Sequence, residues 1–211
     1  MKKLLGLLLT AVFVLGVSCS SIQKNTQSEA AVKQEVYAQQ FAPFAVYIEN
    51  ASKDNHFAPS GWMGDYGDIK LNLACTETPQ SGKTCVKITY NAMMAQGSGW
   101  AGIFWQQPAN NWGDMKGGYN LTGAKKLTFW ARGANGGEKI AEFKVGGITG
   151  EYPDSDSQSM GPVELTKEWK QYTLDLTGKD LSYVIGGFAF SASKEDNPNG
   201  FVIYLDDIIF E

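Results

Sequence analysis

The sequence predicts an all-β protein, a two-sheet antiparallel β-sandwich of the jelly-roll type. Three observations carry this. From residue 43 onward, short strand-like runs recur with turn punctuation between them. No segment of ten or more residues in that region combines helical periodicity with helix caps. The 211 residues include 24 Gly, 6 Trp, 9 Tyr and 11 Phe, a balance that suits many short strands joined by tight turns.

Nine runs are expected as strands: 44–49, 68–74, 84–91, 99–106, 125–133, 139–145, 168–176, 184–192 and 201–210. In 125–133, Leu127, Phe129 and Ala131 alternate with Lys126, Thr128, Trp130 and Arg132, which gives one apolar and one polar face. In 84–91, Val86, Ile88 and Tyr90 alternate with Lys87 and Thr89. The run 201–210 is apolar on both faces and reads as a central strand.

Ahead of this domain, Lys2 and Lys3 precede an apolar run over residues 4–17, the size of a signal-peptide core and short for a membrane span. It ends at Gly16-Val17-Ser18-Cys19, which resembles a bacterial lipobox. The expected organisation is a lipoprotein signal peptide at 1–18, lipidation of Cys19, a polar tether at 19–42 and one domain at 43–211. The resemblance implies a lipid-anchored protein of the bacterial cell envelope, at the outer membrane or cell surface. Removing residues 1–18 takes away Lys2 and Lys3 and moves the net charge from −4 to −6. With Arg132 as the only arginine, the chain lacks a basic footprint for nucleic acid.

If Cys19 carries lipid, Cys75 and Cys85 remain as a pair across a turn containing Pro79 and Gly82. In an oxidising compartment they are expected as a disulfide, the alternative being two unpaired thiols.

Two stretches read as loops rich in aromatic, glycine and polar residues, 55–68 and 99–114. Sugars present apolar C–H faces ringed by hydroxyls. Flat aromatic rings stack on the former, while amide, carboxylate and guanidinium groups bond the latter. The residues expected to contact a poly- or oligosaccharide are Trp62, Trp105, Trp112, Trp130 and Arg132, with Asp65, Asn110 and Asn111 as polar partners. Trp130 and Trp169 each lie on the polar side of a strand, either as an exposed platform or beneath a loop.

The strand order, the run Gly99-Trp100-Ala101-Gly102-Ile103-Phe104-Trp105 and the closing Tyr204-Leu205-Asp206-Asp207-Ile208 resemble bacterial jelly-roll carbohydrate-binding modules of the galactose-binding-like superfamily. Stretches such as HFAPSGWMGDYGD also resemble secreted bacterial lipoproteins. The first resemblance implies surface glycan binding by a monomer. It also implies a structural calcium on Glu49 and Asp206, with Asp207 and Asp54 in reserve; both are hard oxygen donors. The competing class is an envelope lipoprotein that binds another protein.

Catalysis is not expected. No E-x-D-x-x-E strand or G-x-S-x-G elbow occurs, and Glu151, Asp154 and Asp156 read as a solvated loop. His56 beside Asp54 is the one candidate catalytic pair.

Overall fold

A computed structural model describes residues 41–211. The signal peptide, Cys19 and the tether as far as residue 40 lie outside the described residues. Thirteen strands follow in order: β1 Phe44–Tyr47, β2 Ala58–Gly64, β3 Ile69–Cys75, β4 Cys85–Tyr90, β5 Trp100–Gln106, β6 Lys126–Gly133, β7 Lys139–Ile140, β8 Glu142–Gly146, β9 Ser157–Met160, β10 Val163–Glu164, β11 Lys170–Asp175, β12 Gly186–Ser193 and β13 Phe201–Phe210. One sheet runs β11-β6-β13-β4-β3, with β1 also on β13, and the other runs β2-β5-β12-β8-β9. All pairings within them are antiparallel.

The core lies between the two sheets. Phe129 of β6 meets Phe143 of β8 and Phe188 of β12 with ring centres 4.7 and 5.1 Å apart. Strand β13 is central, as its two apolar faces predict. It pairs with β6 on one side, and with β4 and then β1 on the other. The ladder shifts between Asp206 and Ile209, where Asp207 adopts φ 45°. This bulge re-aims the strand as it passes from β4 to β1.

Strands β2, β9 and β10 were not expected. Strand β2 reads Ala-Pro-Ser-Gly-Trp-Met-Gly, and its proline and glycines hide the alternation. It is tolerated because β2 is an edge strand, where a missing amide breaks no inner ladder. Strand β9, Ser-Gln-Ser-Met, is a polar edge strand at the other side of the same sheet.

The disulfide expected between Cys75 and Cys85 is not formed in the structure. Both are buried thiols, placed opposite each other in the β3–β4 register. Burial above all, with Cys75 beside it, pushes the Cys85 thiol up to about 12.

Candidate functional site

Strand β5 splits its side chains between two environments. Ala101, Ile103 and Trp105 enter the main core, while Phe104 joins Ile148, Ile185 and Ala189 in a second apolar cluster on the sheet's other face. On that outer face lies a trough of about 150 Å³, lined by Met63, Trp100, Phe104, Glu142, Lys144 and Ser191 among others. Gly102, Ala189 and Ser191 occupy neighbouring register positions on β5 and β12, so small side chains keep the floor low. A Cβ at Gly102 would come within 2.5 Å of the Phe190 carbonyl oxygen, which makes glycine obligatory there.

One exposed tryptophan lines the trough and a second stands beyond its Phe104 wall. Trp100, at the start of β5, is 40% exposed. Phe104 follows four residues on, about 13 Å along the strand. Against Phe104 stands Trp112, edge-on with ring centres 6.2 Å apart and itself 43% exposed. Lys144 and Glu142, two positions apart on β8, point to the same side, and neither forms an ion pair among the described residues. The trough therefore offers one open ring, an apolar wall and uncommitted polar groups, with a second open ring next to that wall.

Both tryptophans are presented by loops knitted from within. Asn111 is fully buried; its Oδ1 accepts from the Gly113 amide and its Nδ2 donates to the Met115 carbonyl. Gln106 donates to the Asn111 carbonyl, and Ser60 links Gln106 to the Asn110 amide. At the Trp100 end, buried Asp65 accepts amides of Gln96, Ser98 and Gly99. Burial alone would raise its pKa, but the Ser98, Gln96, Gly99 and Gly97 amides outweigh this and hold the carboxyl below its ordinary range. Asp68 holds the Met94 amide of the same loop.

The expected contact residues are thus sorted into different places. Trp112 is exposed and stands against Phe104 on the outer face. Trp105 is buried instead: it is 1% exposed and packs against Phe188, because β5 turns its odd positions inward. Asp65 and Asn111 are buried scaffolding rather than ligand partners, and Asn110 is an exposed turn residue at φ 61°. Trp62 is exposed on β2, but its neighbour Met63 is the residue lining the trough, so alternation puts Trp62 on the opposite side of the strand. Trp130 and Arg132 belong to the other sheet altogether.

Arg132 is committed to structure. Its guanidinium carbon lies 3.8 Å from the Tyr204 ring centre and 5.2 Å from that of Trp169. Its Nη2 donates to the Glu77 carbonyl and the Thr78 hydroxyl, so it clamps the turn after β3. Glu77 completes the clamp by accepting from Tyr204 and Lys87.

Glu49 and Asp206 ring the β3–β4 turn. Asp206 accepts amides of Gln80 and Ser81, and Glu49 accepts from the Lys83 amide and the Thr84 hydroxyl. Asp207 accepts from the Ser81 hydroxyl. Burial, opposed by the Ser81 amide and aided by the Asp207 charge, pushes Asp206 up to about 6. The donor types suit calcium, yet among the described residues no three His, Cys, Asp or Glu side chains converge as ligands.

His56 does not pair with Asp54. Its ring stacks on Phe44 at 3.7 Å, and Nδ1 lies 2.9 Å from the Ala45 carbonyl oxygen. The stretch around Asp154 is also not a solvated loop. Asp154 accepts amides of Ile148, Ile185 and Gly186 and seats the segment on the second apolar cluster.

Sequence reasoning missed Trp100, Met63, Glu142 and Lys144. Both faces of β5 are apolar, so the sequence pattern gives no sign of whether Trp100 or Trp105 is inward.

No family model matches the chain, and no curated protein does. Solved structures do. A family 30 carbohydrate-binding module is similar with TM-score 0.57 and 14% identity, covering 82% of this chain and 88% of its own. The family 30 module of a cellulosomal cellulase of Clostridium thermocellum has TM-score 0.54 and 15% identity, covering 81% and 97%. A family 11 module of another cellulosomal cellulase from the same organism has TM-score 0.52 and 13% identity, covering 80% and 94%. The chain has the jelly-roll fold of these modules.

Proposed function

We propose that the domain is a non-catalytic glycan-binding module, with a poly- or oligosaccharide chain lying along the outer face of β5, β12 and β8. The observation that carries this is a pair of exposed tryptophans, Trp100 lining the trough and Trp112 standing against its Phe104 wall, beside Glu142 and Lys144, which form no ion pair among the described residues. Each ring stacks on a sugar face, while Glu142, Lys144 and Ser191 bond hydroxyls between them. The fold shared with carbohydrate-binding modules supports the reading by analogy. Affinity electrophoresis of the mature protein through gels loaded with plant, algal or bacterial polysaccharides tests it. Retardation by at least one is expected, and unretarded migration in all of them overturns the proposal.

The module is proposed to act as a monomer tethered to the envelope through a lipid on Cys19, at the outer membrane or cell surface. A Cys19→Ala variant is expected in the soluble fraction, and its retention in membranes contradicts the anchor. A structural calcium on Glu49 and Asp206 is a separate part of the proposal, supported by the hard oxygen donors that these two residues supply.

One observation favours a second reading, that of a protein-binding lipoprotein. Met93, Met94 and Tyr66 are exposed close to Trp100 on the loops that Asp65 and Asp68 brace. If that patch is the working surface, a Met93→Asp/Met94→Asp variant loses an envelope partner and keeps all glycan binding.

A further inference from the structure

A second polar cavity, of about 210 Å³, lies away from the trough. It is lined by Asn135, Glu138, Asp196, Asn199 and the backbone of Gly136 and Gly137 among others. Glu138 is 7% exposed. Its Oε1 accepts the Asn135 amide at 2.8 Å, but Oε2 is buried with no protein donor. No lysine or arginine reaches it among the described residues. A buried carboxylate oxygen without donor or counter-charge is costly unless a cation meets it.

The backbone is shaped to hold the carboxylate there. A Cβ at Gly133 would fall within 1.6 Å of Oε2, so glycine makes the seat. Gly136 and Gly137 turn at φ 85° and 91°, which brings a tight backbone loop to the cavity's edge. Opposite, Asn197 is fully engaged: Oδ1 accepts the Lys139 amide and Nδ2 donates to the Lys139 and Ser193 carbonyls. It fixes the 193–200 loop and places Asp196, whose Oδ2 accepts from the Ser193 hydroxyl, and Asn199, both exposed, at the opening.

We infer that this cavity is a divalent-cation site of the calcium class, with Glu138 as its buried anchor and Asp196, Asn199 and loop carbonyls as further oxygen donors. Irregular loops offering carboxylate, amide and carbonyl oxygens suit a large hard cation that accepts six to eight ligands, and suit magnesium's strict octahedron less. The site is distinct from Glu49 and Asp206. It has a structural consequence for the trough. The loop it closes donates the Lys194 amide to the Gly99 carbonyl, next to Trp100. Cation binding therefore braces one end of the proposed glycan surface, whatever that surface binds.

Calcium titration by calorimetry on chelator-stripped mature protein tests the site. The wild type is expected to bind one more calcium than Glu138→Gln, while Asp206→Asn keeps the Glu138 site. Hydrogen exchange over residues 194–200 is expected to slow with calcium in the wild type and not in Glu138→Gln. The proposal is overturned if Glu138→Gln binds calcium with wild-type stoichiometry and affinity, or if the wild type binds none. Should Glu138→Gln fail to fold, Asp196→Asn, at an exposed position, decides: tenfold weaker calcium binding supports the site and unchanged affinity overturns it.

Discussion

Trp112 stands edge-on to Phe104 at an interplanar angle of 89°, anchored by one edge while its face stays open. The loop beneath it is rigid for a reason visible in the chain: buried Asn111 accepts the Gly113 amide, and the Gly113 carbonyl accepts the Tyr152 amide. A ring held this way is pre-organised, so little of its stacking energy is spent on ordering.

The buried and exposed tryptophans separate on substitution. Trp105→Ala opens a cavity in the main core and is expected to cost about 3–5 kcal/mol of stability. The chain that remains folded keeps its saccharide affinity. Denaturant unfolding beside a binding titration checks both, and a lost affinity with unchanged stability would place Trp105 at the ligand instead.

Arg132→Ala is expected to lower stability by about 2 kcal/mol through lost stacking on Tyr204 and Trp169 and lost hydrogen bonds to the 77–78 turn. Arg132→Lys should recover little, because an ammonium cannot reproduce the planar fork between two rings. Glycan retardation stays at the wild-type level in both. A specific loss of binding would return Arg132 to the ligand surface.

Asp206 makes a pH signature. Its carboxyl is raised from 3.8 to about 6, chiefly by burial, so between those values the folded chain keeps a proton that the unfolded chain has released. Its contribution therefore favours folding in acid and is lost as pH rises through that window. In chelator, melting curves from pH 4 to 7 should show the wild type losing more stability than Asp206→Asn. Calcium on Glu49 and Asp206 keeps the carboxylate ionised, so excess calcium should shrink the difference. A difference identical with and without calcium dismisses that site.

Cys75 and Cys85 face each other in register. The structure holds them as thiols, and we propose that the oxidising envelope joins them: protein isolated from it is expected to show no free thiol after unfolding, and reduction should cost about 2–3 kcal/mol. In the reduced, folded chain Cys85 should resist alkylation, since burial holds it protonated. Two titratable thiols in the isolated protein would contradict the disulfide.

The fold was legible wherever the signal was local. Alternation in β6 and the doubly apolar β13 correctly anticipated an outer strand face and a central strand. Strand β2 was not legible, because Pro59 and Gly61 carry loop chemistry and only pairing with β5 makes the segment a strand. The site was half legible. Residue types pointed to the 99–114 stretch, but inward and outward positions depend on which face of β5 meets the other sheet. That is a tertiary fact, and the second apolar cluster around Phe104 erases its trace in the sequence. Arg132 misled for a related reason: a charged residue on a polar strand face reads as free until the 77–78 turn folds over it.

The central claim rests on Trp100 and Trp112 acting on one ligand along the same sheet face. Calorimetric titration of the wild type, Trp112→Ala and the Trp100→Ala/Trp112→Ala pair, using an oligosaccharide cut from the polysaccharide that retards the wild type, tests it most directly. The trough reading predicts at least tenfold weaker binding for the single variant, about 1.4 kcal/mol, and no measurable binding for the double variant, with melting temperatures unchanged. Wild-type affinity in the folded double variant would contradict it.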